Sequence, residues 1–179
     1  EESFRRTALC ILQWMQTTLR DEQTGAFWGS QDAEPSYARR STVAARRAAG
    51  PPSIDRTIFA NWNAIAVSAL FKASSVLGDA RYSEMALETL DFMLRELYDD
   101  KLGMHHYWDG RPHLLGLLGD QAYTLRALID AVQFSGENRF LEVARELAAI
   151  TIERYKSPSG AFFDTHFDPS ASGELRRRN

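Results

Sequence analysis

The sequence predicts an all-α fold built from helical hairpins, specifically a partial α/α toroid of about two and a half hairpins. Three observations lead to this prediction. The chain contains an internal repeat, its apolar helices alternate with one-faced helices, and a glycine followed by aromatic residues ends each one-faced helix. The chain has 179 residues, of which 44% are hydrophobic and 25% charged, so it holds enough apolar material for one core.

The repeat is visible when two parts of the chain are aligned. Segment 60–70 aligns with segment 118–128, and Ala64 then lies over Ala122. Each unit consists of a helix, a short glycine turn and a second helix. Segment 4–25 repeats only the second helix, in alignment with segment 82–103. An amphipathic helix without its partner leaves apolar surface uncovered. We therefore expect the chain to be a fragment whose missing hairpins come from the same protein or from a homo-oligomer mate.

The two kinds of helix differ in their apolar pattern. Segment 57–77 carries apolar and small residues nearly all round, which is typical of a helix buried on most sides. Segment 82–98 has one apolar stripe and an opposite charged face, which is typical of a half-exposed helix. The alternation predicts two concentric layers, although a solenoid would alternate in a similar way. Gly78 suits the left-handed residue after a helix, and Asn138 suits an N-cap.

Three links should gather at one end of the domain. Residues 25–28, 103–108 and 160–164 each join an outer helix to the following inner helix. They should therefore lie beside the N-termini of the inner helices, with an extended piece at 104–108 and a turn at 109–110. We assign residues 1–168 to the helical repeat domain, with an insertion at about 30–54, and residues 169–179 to a flexible C-terminal tail.

Composition excludes several classes of function. A net charge of -3 gives no general attraction to nucleic acid, and the arginines of the insertion lack interleaved aromatic residues. We interpret the insertion as a solvated loop or short helix, with a lid over the funnel as the alternative. No apolar run reaches the roughly 18 residues of a membrane span. The single cysteine, Cys10, excludes an internal disulfide, and no secretory signal is recognisable, so we expect a cytoplasmic protein.

Three strings of residues carry a resemblance to a known family. They are GAFWGSQDA at 25–33, DRTIFANWNA at 55–64 and LGDQAY at 118–123. Together they resemble the toroidal region of the thioredoxin-domain-containing, spermatogenesis-associated-protein-like family, over about residues 4–168. The resemblance implies a toroid similar in fold to six-hairpin glycosidases and N-acylglucosamine 2-epimerases, and a role related to carbohydrates. These residues contain no Cys-x-x-Cys motif, so the thioredoxin function of that family is not carried over.

Candidate ligand contacts lie at the predicted rim. A sugar site uses an aromatic ring for the C–H face of the sugar and amides or carboxylates for its hydroxyl groups. The residues of these types are Trp28, Gln31, Asp55, Trp62, Asn63, Gln121 and Tyr123, with Trp108 as a further aromatic. The alternative for Trp62 is a plain position in the core of the inner ring.

Candidate catalytic residues are Asp120, Asp32 and His106. Glycoside cleavage needs two carboxyl groups about 5–9.5 Å apart, and epimerisation beside a carbonyl commonly uses histidine as acid or base. The alternatives are that Asp120 caps its helix and that the loop histidines are solvated. The sequence shows no spacing of a dedicated metal site and no cofactor motif, so we predict neither. The competing function is a non-catalytic helical scaffold or protein-interaction module.

Overall fold

A computed structural model of the chain describes residues 2–166. The C-terminal tail predicted for 169–179 lies outside the described residues. In the described part of the chain, seven α-helices and six short strands are present, in the order α1 (Glu2–Trp14), β1 (Ser30–Asp32), α2 (Pro35–Ala38), α3 (Val43–Ala48), β2 (Ser53–Asp55), β3 (Ile58–Phe59), α4 (Ala60–Leu77), α5 (Ala80–Glu96), β4 (Tyr98–Asp99), β5 (Gly103–Trp108), β6 (Pro112–Leu115), α6 (Leu118–Ser135) and α7 (Asn138–Tyr155).

Two helical hairpins form the body of the domain. Helix α4 packs against α5, α6 packs against α7, and the inner helices α4 and α6 pack side by side. Gly78 and Gly136 end the inner helices in the left-handed conformation, with φ of 69° and 73°, which glycine adopts without strain. The predicted repeat of helix, glycine turn and helix is therefore confirmed. Asn138 is the first residue of α7 rather than its N-cap, which is Glu137.

The core lies between these four helices. One apolar side of each helix contributes to it, and its fully buried members include Leu70, Leu90, Met93, Leu128 and Leu147. Burial of side chains of this size contributes roughly 1.5–3 kcal/mol each, before conformational entropy is counted. The inner helix α4 is less enclosed than its composition predicts, because Trp62, Ile65 and Val76 are exposed on it.

Strand β5 lies in the predicted link 103–108, and β3, β4 and β6 all pair with it. Strand β5 pairs antiparallel with β6, with β3 at Trp108 and Tyr107, and with β4 at Met104 and Gly103. The extended segment predicted at 104–108 is therefore confirmed as part of β5, and the chain turns at 109–110 as predicted. The prediction that a helix spans 57–77 is wrong at its start, because Ile58 and Phe59 pair with β5 and α4 begins only at Ala60.

Helix α1 shows the uncovered surface that the half repeat predicts. None of its residues is buried, and its exposed apolar side chains include Phe4, Leu9, Ile11 and Trp14. Its continuation, 15–19, is π-helical; Leu19 is its buried residue, and Met15 packs partly buried against the core. The insertion forms α2, α3 and a two-stranded ribbon of β1 and β2, so the expectation of short helices and loop holds there. Within residues 2–166, none of the helices combines the length and the apolar character that crossing a membrane requires.

Candidate functional site

The three links meet around the N-terminal ends of α4 and α6. Ala26 of the first link packs with Ile58 and Phe92, and both Trp28 and Trp108 lie against this cluster. The third link reaches the same end, since the carbonyl of Asp164 accepts a hydrogen bond of 2.8 Å from the backbone N–H of Leu118. The prediction that the links gather at one rim is therefore confirmed.

A repeated carboxamide holds two of these links to the inner helices. The Asn63 side chain accepts from the backbone N–H of Phe27 at 2.7 Å and donates to its carbonyl at 2.9 Å. Gln121 does the same with Met104, at 2.8 and 3.0 Å. The two carboxamides occupy equivalent positions of the repeat and are fully buried. Asn63 and Gln121 were predicted as ligand contacts, but their polar atoms are occupied by backbone groups, so we reassign them to the framework.

Asp120 is the buried centre of the site, with a side chain that is 0% exposed. One carboxylate oxygen accepts from the backbone N–H of Leu117 at 2.7 Å and contacts Nδ1 of His106 at 2.9 Å. The other accepts from the backbone N–H of Asn61 at 3.3 Å. The expected capping role is present, although Asp120 is the third residue of α6 rather than its N-cap. Burial raises the pKa of the Asp120 carboxyl, and the hydrogen bonds from Leu117 and His106 partly oppose that rise.

His106 projects from β5 onto this carboxylate, and its side chain is 22% exposed. A carboxylate that accepts from Nδ1 fixes the neutral ring as the Nδ1–H tautomer. The lone pair of Nε2 then remains as a proton acceptor. The ring lies 5.6 Å from the ring of Phe59 and 6.1 Å from that of Tyr107. The arrangement is a histidine oriented by a buried carboxylate, which is suited to general acid–base chemistry.

Trp62 provides an aromatic surface next to this pair. Its side chain is 50% exposed, so the alternative that it is plain core is wrong. Its ring packs against Phe59 at 4.8 Å, and Phe59 in turn packs against His106. Tyr123 is also about half exposed and lies one turn beyond Asp120 on α6. An accessible aromatic surface therefore borders the His106–Asp120 pair.

Trp28 and Asp55 belong to a second place, which we call the outer cleft. This cleft has a volume of about 760 Å³. It is lined by Thr17, Trp28 and the segments 20–23, 55–57 and 108–110. The guanidinium of Arg56 lies 4.9 Å from the centre of the Trp28 ring. The sequence predicted one continuous pocket, whereas the structure separates Trp28 and Asp55 from the contacts of His106.

Gln31 and Asp32 lie on the ribbon of β1 and β2. The amide of Gln31 donates to the carbonyl of Pro52 at 3.3 Å, and Asp32 is exposed at the end of β1. Neither residue is among the described residues that line the outer cleft. Asp32 therefore makes no contact here that would pair it with Asp120 as the second carboxylate of a glycosidase.

His113 has contacts of its own, and the described histidines form no cluster of metal ligands. His113 contacts Asp109 at 2.6 Å and stacks on Tyr107 with ring centres 4.8 Å apart. Across residues 2–166, no three histidine, cysteine or acidic side chains come together in the way that metal ligands do.

Sequence reasoning missed Phe59 and Tyr107 as part of the site. They are opposite one another in the pairing of β3 with β5, and Phe59 joins Trp62 to His106. Phe59 was assigned to the predicted inner helix. The signal that could have found it is the β-branched and aromatic run 57–59 immediately before the helix, which favours a short strand.

No protein-family model matches the chain. Human spermatogenesis-associated protein 20 is 27% identical over 75% of this chain and 19% of its own length, and the rat protein is 29% identical over 90% of this chain and 23% of its own. In sequence, the chain is similar to a part of spermatogenesis-associated protein 20. It spans about a fifth of the length of these curated relatives.

Solved structures show the same fold. A sugar epimerase from a ruminal bacterium superimposes with a TM-score of 0.74, at 17% identity over 99% of this chain and 43% of the epimerase. An α-mannanase of glycoside hydrolase family 76 from Bacteroides thetaiotaomicron superimposes with a TM-score of 0.70, at 13% identity over 98% of this chain and 43% of the mannanase. At these identities the likeness establishes the fold alone. The chain is therefore a partial α/α toroid, and the alternative of an open solenoid is not supported.

Proposed function

We propose that this chain supplies part of a sugar site at the N-terminal ends of α4 and α6, with His106 as an acid–base group. The observation that carries the proposal is the contact of 2.9 Å between Nδ1 of His106 and the buried carboxylate of Asp120, beside the exposed ring of Trp62. Aromatic rings bind the C–H face of sugars, and an oriented histidine moves protons near neutral pH. The fold is shared with sugar epimerases and mannanases, which is consistent with a carbohydrate ligand.

The geometry favours epimerase-like or isomerase-like chemistry over glycoside hydrolysis. In such a reaction, Nε2 of His106 takes the proton from the carbon beside the sugar carbonyl. The electron pair of that C–H bond moves to form a C=C bond, and the carbonyl oxygen becomes an enolate oxygen. Return of a proton to the same carbon from the opposite face inverts that carbon. Isomerisation instead places the proton on the former carbonyl carbon, while the hydroxyl proton of the first carbon moves to the enolate oxygen, so that the first carbon becomes the new carbonyl carbon. Asp120 holds the His106 ring in the required tautomer and does not touch the substrate.

Hydrolysis is the weaker candidate because it requires two carboxyl groups that reach the scissile bond. The Asp120 carboxylate is 0% exposed and receives three hydrogen bonds. Asp32 lies on the β1–β2 ribbon, without a contact to this centre. The chain spans 43% of the toroidal epimerase, so we assign the second acid–base group to hairpins outside this chain.

The outer cleft extends the proposed ligand surface. Trp28 and Asp55 both line it, and an indole face with a carboxylate is the pair that binds a sugar ring and its hydroxyl groups. Arg56 covers the Trp28 ring, so a sugar that stacks on Trp28 must displace this guanidinium. We assign Trp28 and Asp55 to binding and give them no part in proton transfer.

The second candidate function is that of a helical scaffold. It is favoured by α1, whose apolar side chains Phe4 and Ile11 are 80% and 53% exposed. An apolar helix face of this kind is normally covered by a neighbouring repeat. We propose that it packs against further hairpins of the same protein or of an oligomer mate.

We propose a cytoplasmic location for the protein, because a single unpaired cysteine suits a reducing compartment.

Substitution of Trp62 by alanine tests the sugar site. We expect titration with a panel of aldoses and ketoses to change the tryptophan fluorescence of the unmodified chain for at least one sugar. Trp62→Ala should weaken that binding by at least about tenfold, because it removes the stacking surface. Calorimetric titration compares the affinities, since the substitution also removes a fluorophore.

Trp14→Ala is the matched control, since Trp14 is 42% exposed and lies on α1. It should leave the affinity unchanged. Equal weakening by the two substitutions, or no response to any sugar of the panel, would refute the proposed sugar site at Trp62.

A further inference from the structure

Gln121 joins β5 to α6 directly beside the His106–Asp120 pair. Gln121 binds both backbone groups of Met104, accepting from its N–H at 2.8 Å and donating to its carbonyl at 3.0 Å. Two hydrogen bonds to one residue fix both the separation and the rotation of a strand relative to a helix. Gln121 is therefore a two-point clamp of β5 on α6.

The His106–Asp120 contact spans the same two elements. His106 is two residues beyond Met104 on β5, and Asp120 immediately precedes Gln121 on α6. The contact of 2.9 Å therefore depends on the spacing that the clamp sets. We propose that Gln121 is a positioning residue that holds His106 in hydrogen-bond contact with Asp120, an inference that rests on the proposed function of this pair.

The surroundings of Gln121 show how closely the clamp is fitted. A Cβ added at Gly103 would lie 2.6 Å from its Oε1, and one added at Gly116 would lie 2.6 Å from its Nε2. The Tyr155 hydroxyl donates to the carbonyl of Gly116 and accepts weakly from the Gln121 amide at 3.4 Å. Glycine at both positions leaves room for the carboxamide of Gln121, and Tyr155 at the end of α7 contacts this carboxamide.

The preceding repeat supplies a natural comparison. Asn63 clamps Phe27 in the same way, but the residue that precedes it is Trp62, at the position equivalent to Asp120. The Asn63 clamp therefore holds a link without orienting a histidine. Loss of either clamp should destabilise the fold. Asn63 also donates to the carbonyl of Phe59 at 2.9 Å, and the ring of Phe59 contacts His106. Loss of the Asn63 clamp should therefore disturb His106 less than loss of the Gln121 clamp.

The test is the imidazole Nδ1–H proton of His106 in a uniformly ¹⁵N-labelled chain. His106→Gln identifies the resonance by removing it. We expect a solvent-protected Nδ1–H in the unmodified chain and in Asn63→Leu. In Gln121→Met, which keeps the length of the side chain and removes both hydrogen bonds, exchange of this proton with water should accelerate by at least about tenfold.

The outcomes separate the two proposals. A protected proton with an unchanged exchange rate in Gln121→Met overturns the positioning role and leaves the His106–Asp120 pair intact. Absence of the protected proton from the unmodified chain contradicts the pair itself. Should Gln121→Met fail to fold, Gln121→Glu keeps an acceptor for the N–H of Met104 and loses the donor to its carbonyl. Faster exchange in that variant supports the inference, and an unchanged rate overturns it.

Discussion

Replacement of Gly116 by alanine is expected to lower the free energy of unfolding by about 3 kcal/mol, the upper end of the usual cost of overpacking and a large part of the stability of a domain this size. The added Cβ would lie 2.2 Å from the carbonyl oxygen of Met104 and 2.6 Å from Nε2 of Gln121. The first of these atoms is backbone, so relief requires movement of β5 away from α6. That movement breaks the hydrogen bond from Gly116 to Met104 and the Gln121 clamp together.

Gly119→Ala is the control for this substitution. Gly119 lies three residues further along in the first turn of α6, and no atom lies within 4 Å of its added Cβ. Alanine there should raise the stability by up to about 1 kcal/mol, because it is a better helix former than glycine. Urea unfolding followed by circular dichroism measures both variants. A Gly116→Ala variant as stable as the unmodified chain would show that β5 and α6 do not approach as described.

Asp120→Asn is expected to lower the free energy of unfolding by about 1–3 kcal/mol. The carboxylate accepts from three donors, whereas the amide has only one accepting oxygen. At least one buried N–H would therefore face the NH2 group of the new asparagine. The donors are the backbone N–H groups of Leu117 and Asn61 and the ring of His106. Asp130→Asn on the same helix is the control. Asp130 pairs with Arg126 within that helix, and its substitution should cost less than about 1 kcal/mol.

The same variant changes how stability depends on pH. Because burial raises the pKa of Asp120 in the folded chain, the native state keeps a proton that the unfolded state has already released. Above the ordinary value of 3.8 and up to the raised pKa, the contribution of Asp120 to stability falls as pH rises. Asp120→Asn should lack this fall, as measured by urea unfolding across acidic pH. A pH profile identical to that of the unmodified chain would contradict the raised pKa.

The repeat made the hairpins predictable from the sequence. Gly78 and Gly136 occupy equivalent positions and end equivalent helices, because local glycine chemistry decides such turns. The start of α4 was harder to predict, although the run 57–59 favours a short strand. Ile58 and Phe59 are strand residues only because Trp108 and Tyr107, far along the chain, pair with them. Local propensity carries no information about that partner.

The site was predictable as a region and less so as a set of contacts. The carboxamides of Asn63 and Gln121 have the chemistry of ligand contacts, and only the folded chain shows that backbone groups occupy them. Their equivalent positions in the two repeat units were visible in the sequence and were the available sign of a shared framework role. Asp120 differs, because it caps its helix, as the alternative interpretation held, and also contacts His106. Its catalytic role stays a prediction.

The proposed position of the ligand is the claim on which the functional account rests. Chemical-shift mapping of the ¹⁵N-labelled chain with aldoses and ketoses tests it most directly. The account predicts that the perturbed backbone amides cluster at the N-terminal ends of the inner helices and on β5, around Trp62, His106 and Tyr123. Perturbation confined to the opposite ends of those helices, near Gly78 and Gly136, would contradict it.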